Sequence, residues 1–174
     1  MIMPKFEAYL DGFHTISILM PKALTDKRIE SFYLCGNNET LPLAISNVED
    51  FKDTLKYTTT FEGFVFMTEP YYIEDEAGRR CELYSGKIVR SELFDDLFAY
   101  DGDDLGVTYH KDHTVFKLWS PVAKRITLKL TNTQGEVEDH PLTYHNQGIW
   151  SLTLEGDYEG ARYFYESYVN GKVR

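Results

Sequence analysis

Apolar and polar residues alternate along short stretches of this chain, with a period of two residues. Residues 13–20 are the clearest early example, because β-branched and apolar residues alternate there until Pro21 interrupts them. A period of two places every second side chain on one face of a β-strand. The pattern predicts strands in the first half of the chain at 13–20, 29–34, 41–45, 56–60, 64–67 and 71–73.

Helical signals are few and short. The pattern indicates helices only at 48–54 and 91–98, and Ser91 is a suitable N-cap for the second, with acidic residues following it. Strands about every ten residues, separated by Gly, Asn and Asp, are typical of antiparallel sandwiches. The sequence therefore predicts an all-β fold.

A second set of strands follows an acidic, glycine-marked stretch at 100–106. Residues 115–119, 125–130, 150–154 and 162–169 alternate or are rich in aromatics. We place a domain boundary near residue 98 and predict two domains, 1–97 and 98–174. Both are expected to be immunoglobulin-like antiparallel β-sandwiches in tandem.

Asn170-Gly171 is a strong signal for a two-residue hairpin turn, because both residues tolerate positive φ. Only three residues follow it, whereas a typical strand has about five or six. A return strand this short leads us to expect that the natural chain continues and that the second domain is truncated at its C-terminal edge.

Net charge, cysteine content and the N-terminal residues indicate which binding partners and which cellular compartment to expect. The chain has 174 residues and a net charge of −10, so neither nucleic acid nor an anionic membrane is an expected partner. Two cysteines, Cys35 and Cys81, without a CxxC motif favour free thiols in a reducing cytoplasm, although a disulfide between them stays open. The N-terminal residues lack the pattern of a signal peptide, and we predict a cytoplasmic protein.

Two segments carry a resemblance to a known family. Residues 105–174 contain a Phe-x-x-Trp-Ser-Pro strand, a Trp-x-x-x-Leu strand and a Gly-x-x-Tyr-x-Tyr strand, which are similar to those of carbohydrate-binding module family 48. Residues 6–22 and 86–106 resemble the extra N-terminal domain of type I pullulanases, debranching enzymes of glycoside hydrolase family 13. The residues that meet these patterns, expected to be structural, include Tyr100, Asp101, Gly102, Leu105, Gly106, Phe116, Trp119 and Pro121.

The resemblance implies an activity that lies outside these residues. Pullulanases hydrolyse α-1,6-glucosidic branch points in pullulan, glycogen and limit dextrins, with a catalytic pair of carboxylates on a (β/α)8 barrel. A barrel needs about 250 residues, so it is absent here and would be an intramolecular partner of these domains. We predict no catalytic residue, no cofactor and no metal, and an inactive chain within an enzyme that acts on α-glucan.

Flat aromatic side chains are the residues that would hold a sugar ring. Trp150, Tyr144 and Tyr163 are the candidates for an exposed platform, although core packing is the favoured interpretation for both Trp119 and Trp150. Glycogen-binding members of the family carry Lys and Trp where Glu166 and Val173 stand here, so we expect weak binding at most.

Metal binding is the less favoured interpretation of two polar segments. His110 and His113 lack a third zinc ligand nearby, and Asp101, Asp103 and Asp104 lack the final glutamate of a calcium loop. Three functions therefore stay open: accessory domains of a debranching enzyme, a free-standing glucan-binding module, and a docking module without a ligand.

Overall fold

The computed structural model describes residues 4–174. The chain divides into two compact units, Met1–Phe94 and Asp95–Arg174. Strands dominate both, which confirms the all-β prediction. Within the described residues the one α-helix is α1 (Glu92–Phe98), and two 3-10 turns lie at Lys87–Arg90 and Asn146–Gly148. No helix in this part of the chain is long and apolar enough to cross a membrane.

Seven strands of the first unit close into a barrel. Their order around it is β1-β2-β5-β4-β3-β6-β7, and the parallel pair β1–β7 closes the ring. The prediction of a two-sheet sandwich for the first unit is therefore wrong, since its strands form one closed barrel. Alternation along a single strand does not specify whether the first and last strands of a sheet will pair. The strands are β1 (Glu7–Gly12), β2 (Thr15–Pro21), β3 (Phe32–Gly36), β4 (Glu39–Asp50), β5 (Thr54–Thr60), β6 (Tyr72–Asp75) and β7 (Arg80–Ser85).

The barrel interior is filled by the apolar half of each alternating strand. Ile16, Ile18 and Met20 of β2 are fully buried, and Tyr57 of β5 is buried among them. The Tyr57 hydroxyl accepts a hydrogen bond of 2.9 Å from the main-chain N–H of Ile29. Burial of this phenol is therefore compensated by a partner, as buried polar groups require.

Two predicted elements of the first unit are wrong. Residues 48–50 form the end of β4 instead of a helix, because Val48 pairs with Tyr57 across the sheet. Residues 64–67 form an irregular segment instead of a strand, and Phe64 is 79% exposed there. The predicted start of the second helix is confirmed, since the Ser91 hydroxyl accepts a 3.2 Å hydrogen bond from the N–H of Phe94.

The second unit contains two four-stranded sheets, ordered β11-β10-β14-β15 and β12-β13-β9-β8. Phe116 from one sheet and Ile126, Leu128 and Leu130 from the other belong to one buried cluster. The strands are β8 (Gly106–Tyr109), β9 (His113–Trp119), β10 (Arg125–Thr131), β11 (Val137–Pro141), β12 (Thr143–Tyr144), β13 (Ile149–Glu155), β14 (Arg162–Val169) and β15 (Lys172–Val173).

The predicted hairpin at the end of this unit is confirmed. Asn170 and Gly171 have φ angles of 49° and 71°, and β15 pairs antiparallel with β14 directly after them. Positive φ at both positions gives the turn a twist that matches the flanking strands.

Candidate functional site

Trp150 is part of the core of the second unit. Its side chain is 5% exposed, and its indole N–H donates a 2.9 Å hydrogen bond to the main-chain oxygen of Ser120. The Tyr144 ring meets it edge-on, with ring centroids 5.4 Å apart. A sugar ring needs an accessible aromatic face, so burial argues against Trp150 as a sugar ligand and agrees with core packing, the favoured interpretation. Tyr144 is half-buried beside it.

The Ser-Pro pair after β9 is held by a close approach to Gly148. The N–H of Ser120 donates a 2.7 Å hydrogen bond to the Gly148 oxygen. A Cβ at Gly148 would lie 2.8 Å from the Cβ of Pro121, and Gly148 has a φ of +79°. Glycine is therefore required by both space and backbone conformation, and Pro121 has a structural role in the turn.

Trp119 is not in the core, contrary to the prediction. It is 46% exposed, whereas Phe116 three residues earlier is 2% exposed. Residues three apart in a strand lie on opposite faces, so burial of Phe116 directs Trp119 outward. The Trp119 indole N–H donates a 2.8 Å hydrogen bond to the main-chain oxygen of Phe98.

The acidic stretch between α1 and β8 is bonded to β9. Asp104 accepts hydrogen bonds from the Tyr100 hydroxyl and from the Lys117 ammonium. The Lys117 bond, followed by that from Tyr100, lowers the pKa of Asp104. Asp104 therefore links Tyr100, four residues earlier, to Lys117 of β9.

Two glycines and two exposed residues complete this stretch. A Cβ at Gly102 would lie 2.4 Å from atoms of the Tyr100 ring, so the ring packs directly over the Gly102 backbone. Gly106 has a φ of +110°, which favours glycine at the start of β8. Asp101 is exposed and Leu105 is 45% exposed.

Tyr163 keeps more accessible surface than the other predicted sugar ligands. It is 45% exposed, and its ring makes edge contacts with Phe116 at 5.3 Å and with Tyr165 at 5.7 Å. One side of the ring is therefore packed while the rest is open to solvent. Burial raises the pKa of the neighbouring Tyr165 hydroxyl to about 12.

A pair of half-buried tyrosines in the first unit is more accessible than Trp150. Tyr9 of β1 and Tyr84 of β7 are register partners across the parallel pair, and their rings are in edge contact at 6.0 Å. Their strand neighbours Ala8, Leu10 and Leu83 are buried in the barrel, so alternation directs both tyrosines outward.

Each tyrosine of the pair lines one cavity, Tyr84 the first and Tyr9 the second. One has a volume of about 500 Å³ and the other about 400 Å³. The first is lined by Lys5, Phe6, Glu7, Tyr72, Arg80, Cys81, Glu82 and Tyr84. The second is lined by Tyr9, Asp11, Ser17, Leu19, Lys56, Gly86, Lys87, Val89 and Arg90. We call the two together the tyrosine groove.

Hydrogen bonds fix the polar groups of the tyrosine groove. The Tyr9 hydroxyl donates a 2.7 Å bond to Glu7, which raises the pKa of Tyr9 to about 12. Asp11 accepts bonds from the Ser17 hydroxyl and, at 2.9 Å, from the Lys87 main-chain N–H. A Cβ at Gly86 would lie 2.3 Å from the Asp11 carboxylate, so the turn passes close to this acid.

The lining of the tyrosine groove combines aromatic rings with charged side chains of both signs. Aromatic rings offer apolar faces, and carboxylates, lysines and arginines offer hydrogen bonds to hydroxyl groups. The sequence analysis missed this groove because Tyr9 and Tyr84 are far apart in the chain. They become neighbours only through the parallel pairing of the first strand, β1, with the last, β7. Tyr9 alone could have been found, as the outward residue between apolar Ala8 and Leu10.

The predicted histidine pair is arranged as a stacked pair in a turn. The His110 and His113 rings lie 4.4 Å apart at 22°, and His113 Nδ1 is 2.9 Å from Asp112. In the part of the chain that the structure describes, no three His, Cys, Asp or Glu side chains form a group that could hold a metal ion.

Comparison with known proteins assigns each unit to a domain family. Residues 6–90 match the family model described as the Pullulanase N1-terminal domain. Residues 104–174 match Carbohydrate-binding module 48 (Isoamylase N-terminal domain). The chain therefore carries a Pullulanase N1-terminal domain followed by a carbohydrate-binding module 48.

Proteins that match nearly the whole chain are pullulanases. The pullulanase of Bacillus subtilis (strain 168) is 30% identical over 164 residues, which is 94% of this chain and 23% of that protein. The crystal structure of pullulanase type I from the same organism, complexed with maltose, matches 100% of this chain and 24% of its own, with a TM-score of 0.94 and 29% identity.

A structure of pullulanase from Anoxybacillus sp. LM18-11, complexed with maltotriose, matches 98% of this chain and 25% of its own, with a TM-score of 0.93 and 36% identity. Over nearly its whole length, this chain is similar to the N-terminal region of pullulanases. It spans about a quarter of the length of these relatives.

Proposed function

We propose that this chain is the non-catalytic N-terminal portion of a debranching glycoside hydrolase. The whole enzyme would hydrolyse α-1,6-glucosidic linkages in pullulan, glycogen and limit dextrins. The observation that carries this proposal is the order of the two domains, which match pullulanases along nearly the whole chain. The chain would support a catalytic barrel and release no sugar by itself.

We assign glucan contact to the tyrosine groove. Its support is the edge contact of the Tyr9 and Tyr84 rings, each of which lines a cavity that also has polar groups and is of a size typical of ligand sites. The structures of two relatives complexed with maltose and maltotriose favour an α-glucan over other polyhydroxyl ligands. Tyr163 is a secondary candidate because it is accessible, whereas burial argues against Trp150.

The two rival functions are a free-standing glucan-binding module and a docking module without a ligand. The order of the two domains favours accessory domains of an enzyme over a free-standing glucan-binding module. The aromatic and polar lining of the tyrosine groove favours a ligand over the second.

Several finer assignments belong to the same proposal. We propose that the two domains divide near residue 98, between the two matched segments, and that the second is an immunoglobulin-like sandwich, in line with its two sheets and shared core. We also propose a cytoplasmic location. Support for it comes from Cys35 and Cys81, which are free thiols in the structure.

Calorimetric titration with maltotriose tests the glucan site. We expect saturable binding by the wild-type chain, and Tyr84→Ala should weaken it by between about threefold and tenfold through loss of stacking. Tyr33→Ala is the matched control, since Tyr33 lies on β3 and lines neither cavity. Unchanged affinity of Tyr84→Ala for maltotriose would show that the sugar does not bind at the tyrosine groove.

Reducing-end assays on pullulan test the non-catalytic assignment separately. We expect no release by the purified chain at any concentration. Release that follows the chain through purification would contradict the proposal, whatever the result of the binding experiment.

A further inference from the structure

The second cavity of the tyrosine groove carries an excess of positive charge. Its charged lining consists of one acidic side chain, Asp11, and three basic ones, Lys56, Lys87 and Arg90. The first cavity is balanced, since two basic and two acidic side chains line it. The whole chain has a net charge of −10, so the excess of basic groups is a local property of the second cavity.

Local geometry brings Lys87 and Arg90 together. They are the first and last residues of the 3-10 turn Lys87–Arg90, and side chains three residues apart eclipse one another in such a turn. Ile88 of the same turn is fully buried, whereas Lys87 and Arg90 are exposed. The ammonium and guanidinium groups therefore lie on the same solvent-facing side of the turn.

Hydrogen bonds to β1 hold this turn in place. The main-chain N–H of Gly86 donates a 2.9 Å bond to the Leu10 oxygen, and that of Lys87 donates a 2.9 Å bond to one oxygen of the Asp11 carboxylate. The other Asp11 oxygen accepts a bond from the Ser17 hydroxyl. Both oxygens of the one acid in the cavity are therefore engaged in fixing the frame on which the two cations sit.

The two cations of the turn have no carboxylate partner. Among the described residues, neither the Lys87 ammonium nor the Arg90 guanidinium lies within 4.0 Å of an acidic oxygen. Lys56 differs, because its ammonium is 3.3 Å from Glu49. Two like charges three residues apart repel each other, and an anion placed between them would relieve that repulsion.

We propose that the second cavity binds the phosphate group of a phosphorylated α-glucan, with Lys87 and Arg90 contacting the phosphate oxygens. The inference rests on the proposed glucan contact of the tyrosine groove and adds a charged substituent to its ligand. Ammonium and guanidinium groups form charge-assisted hydrogen bonds to phosphate. The Tyr9 ring lines the same cavity and offers a sugar an apolar face, which favours a sugar phosphate over free phosphate.

Calorimetric titration of the full chain with glucose 6-phosphate, inorganic phosphate and glucose, at one fixed ionic strength, tests the proposal. We expect glucose 6-phosphate to bind about tenfold more tightly than glucose, because only the phosphate reaches the two cations. It should bind about threefold more tightly than inorganic phosphate, because only the sugar contacts Tyr9. Added sodium chloride should weaken its binding by screening.

Charge variants locate the phosphate. Lys87→Gln and Arg90→Gln should each weaken glucose 6-phosphate binding by between about fivefold and tenfold. Lys27→Gln is the matched control and should leave it unchanged, since Lys27 is exposed and lines neither cavity of the groove. Asp11→Asn should tighten binding by about threefold, because the amide still accepts the Lys87 N–H bond while a repelling charge is removed.

Three results would overturn the proposal: glucose 6-phosphate that binds no more tightly than glucose, unchanged affinity in Lys87→Gln and Arg90→Gln, or equal affinity for glucose 6-phosphate and inorganic phosphate. A parallel titration with maltotriose separates this inference from the glucan site. Saturable maltotriose binding with no gain from a phosphate would overturn only the phosphate assignment. Failure of both maltotriose and glucose 6-phosphate to bind would contradict the glucan site as well.

Discussion

The indole N–H of Trp150 donates a 2.9 Å hydrogen bond to the main-chain oxygen of Ser120, thirty residues earlier in the chain. This bond joins the Trp-Ser-Pro turn after β9 to the start of β13. It makes Trp150 a structural residue of the second unit and removes it from any surface that a sugar could reach.

Replacement of Trp150 should therefore act on stability. Trp150→Ala should lower the free energy of unfolding by about 3–5 kcal/mol, because it leaves a large cavity. Trp150→Phe should cost less, about 1–2 kcal/mol, mainly through the unpaired Ser120 oxygen. Urea unfolding curves measure both. Both variants lose the hydrogen bond, so equal losses would show that the cavity has no part in the effect.

Gly148 should be less tolerant of a side chain than another glycine of the same backbone conformation. Gly148→Ala should destabilise the chain by about 2–4 kcal/mol, because the new Cβ meets Pro121 as well as an unfavourable φ. Gly135→Ala is the control: its φ is +86°, but no atom lies within 4 Å of the Cβ. Its cost should be about 1–2 kcal/mol. Thermal unfolding of both variants would reveal the difference, and equal shifts in Tm would rule out the contact with Pro121.

The bonds around Asp104 should open in acid. Lys117 and then Tyr100 lower the pKa of this carboxyl from its ordinary value of 3.8. A depressed pKa means that the ionised form stabilises the fold. Its contribution is complete above pH 3.8 and is lost as the pH falls through the lower folded value.

Amide chemical shifts of Lys117 and Trp119 between pH 5 and pH 2 measure this opening. We expect a transition below pH 3.8 that disappears in Asp104→Asn and persists in Asp103→Asn, a change at the exposed neighbour. A transition that survives in Asp104→Asn would assign the acid sensitivity to another group.

The two cysteines should differ in reactivity. Burial raises the pKa of the Cys81 thiol to about 12, and only thiolates react rapidly with disulfide reagents. At pH 8 we expect Cys81 to react with Ellman's reagent only after unfolding. Cys35→Ser should abolish the reaction of the folded protein, and a rapid reaction in that variant would show that Cys81 is accessible.

Local patterns predicted those features that local chemistry controls. The turn at Asn170-Gly171 formed as expected because its backbone conformation depends on two residues alone. The helix predicted at 48–54 failed because pairing of Val48 with Tyr57 outweighs a weak helical preference. Trp119 was misplaced because its large apolar surface suggested burial, while the alternation from Phe116 directs it outward.

Local sequence patterns could not predict most of the tyrosine groove. Closure of the barrel by a parallel pair brings Tyr9 against Tyr84, and parallel pairing of distant strands leaves little signal in either segment. Family resemblance indicated the right domains, but it directed attention to the aromatics of the second unit, where Trp150 is buried.

The central claim is that this chain contacts α-glucan through the tyrosine groove of its first unit. Amide chemical-shift mapping of the full chain during titration with maltotriose tests it most directly. We predict saturable shifts that cluster at residues lining the two cavities, including Tyr9, Tyr84 and Lys87. Shifts confined to residues 95–174, or none up to millimolar sugar, would contradict it.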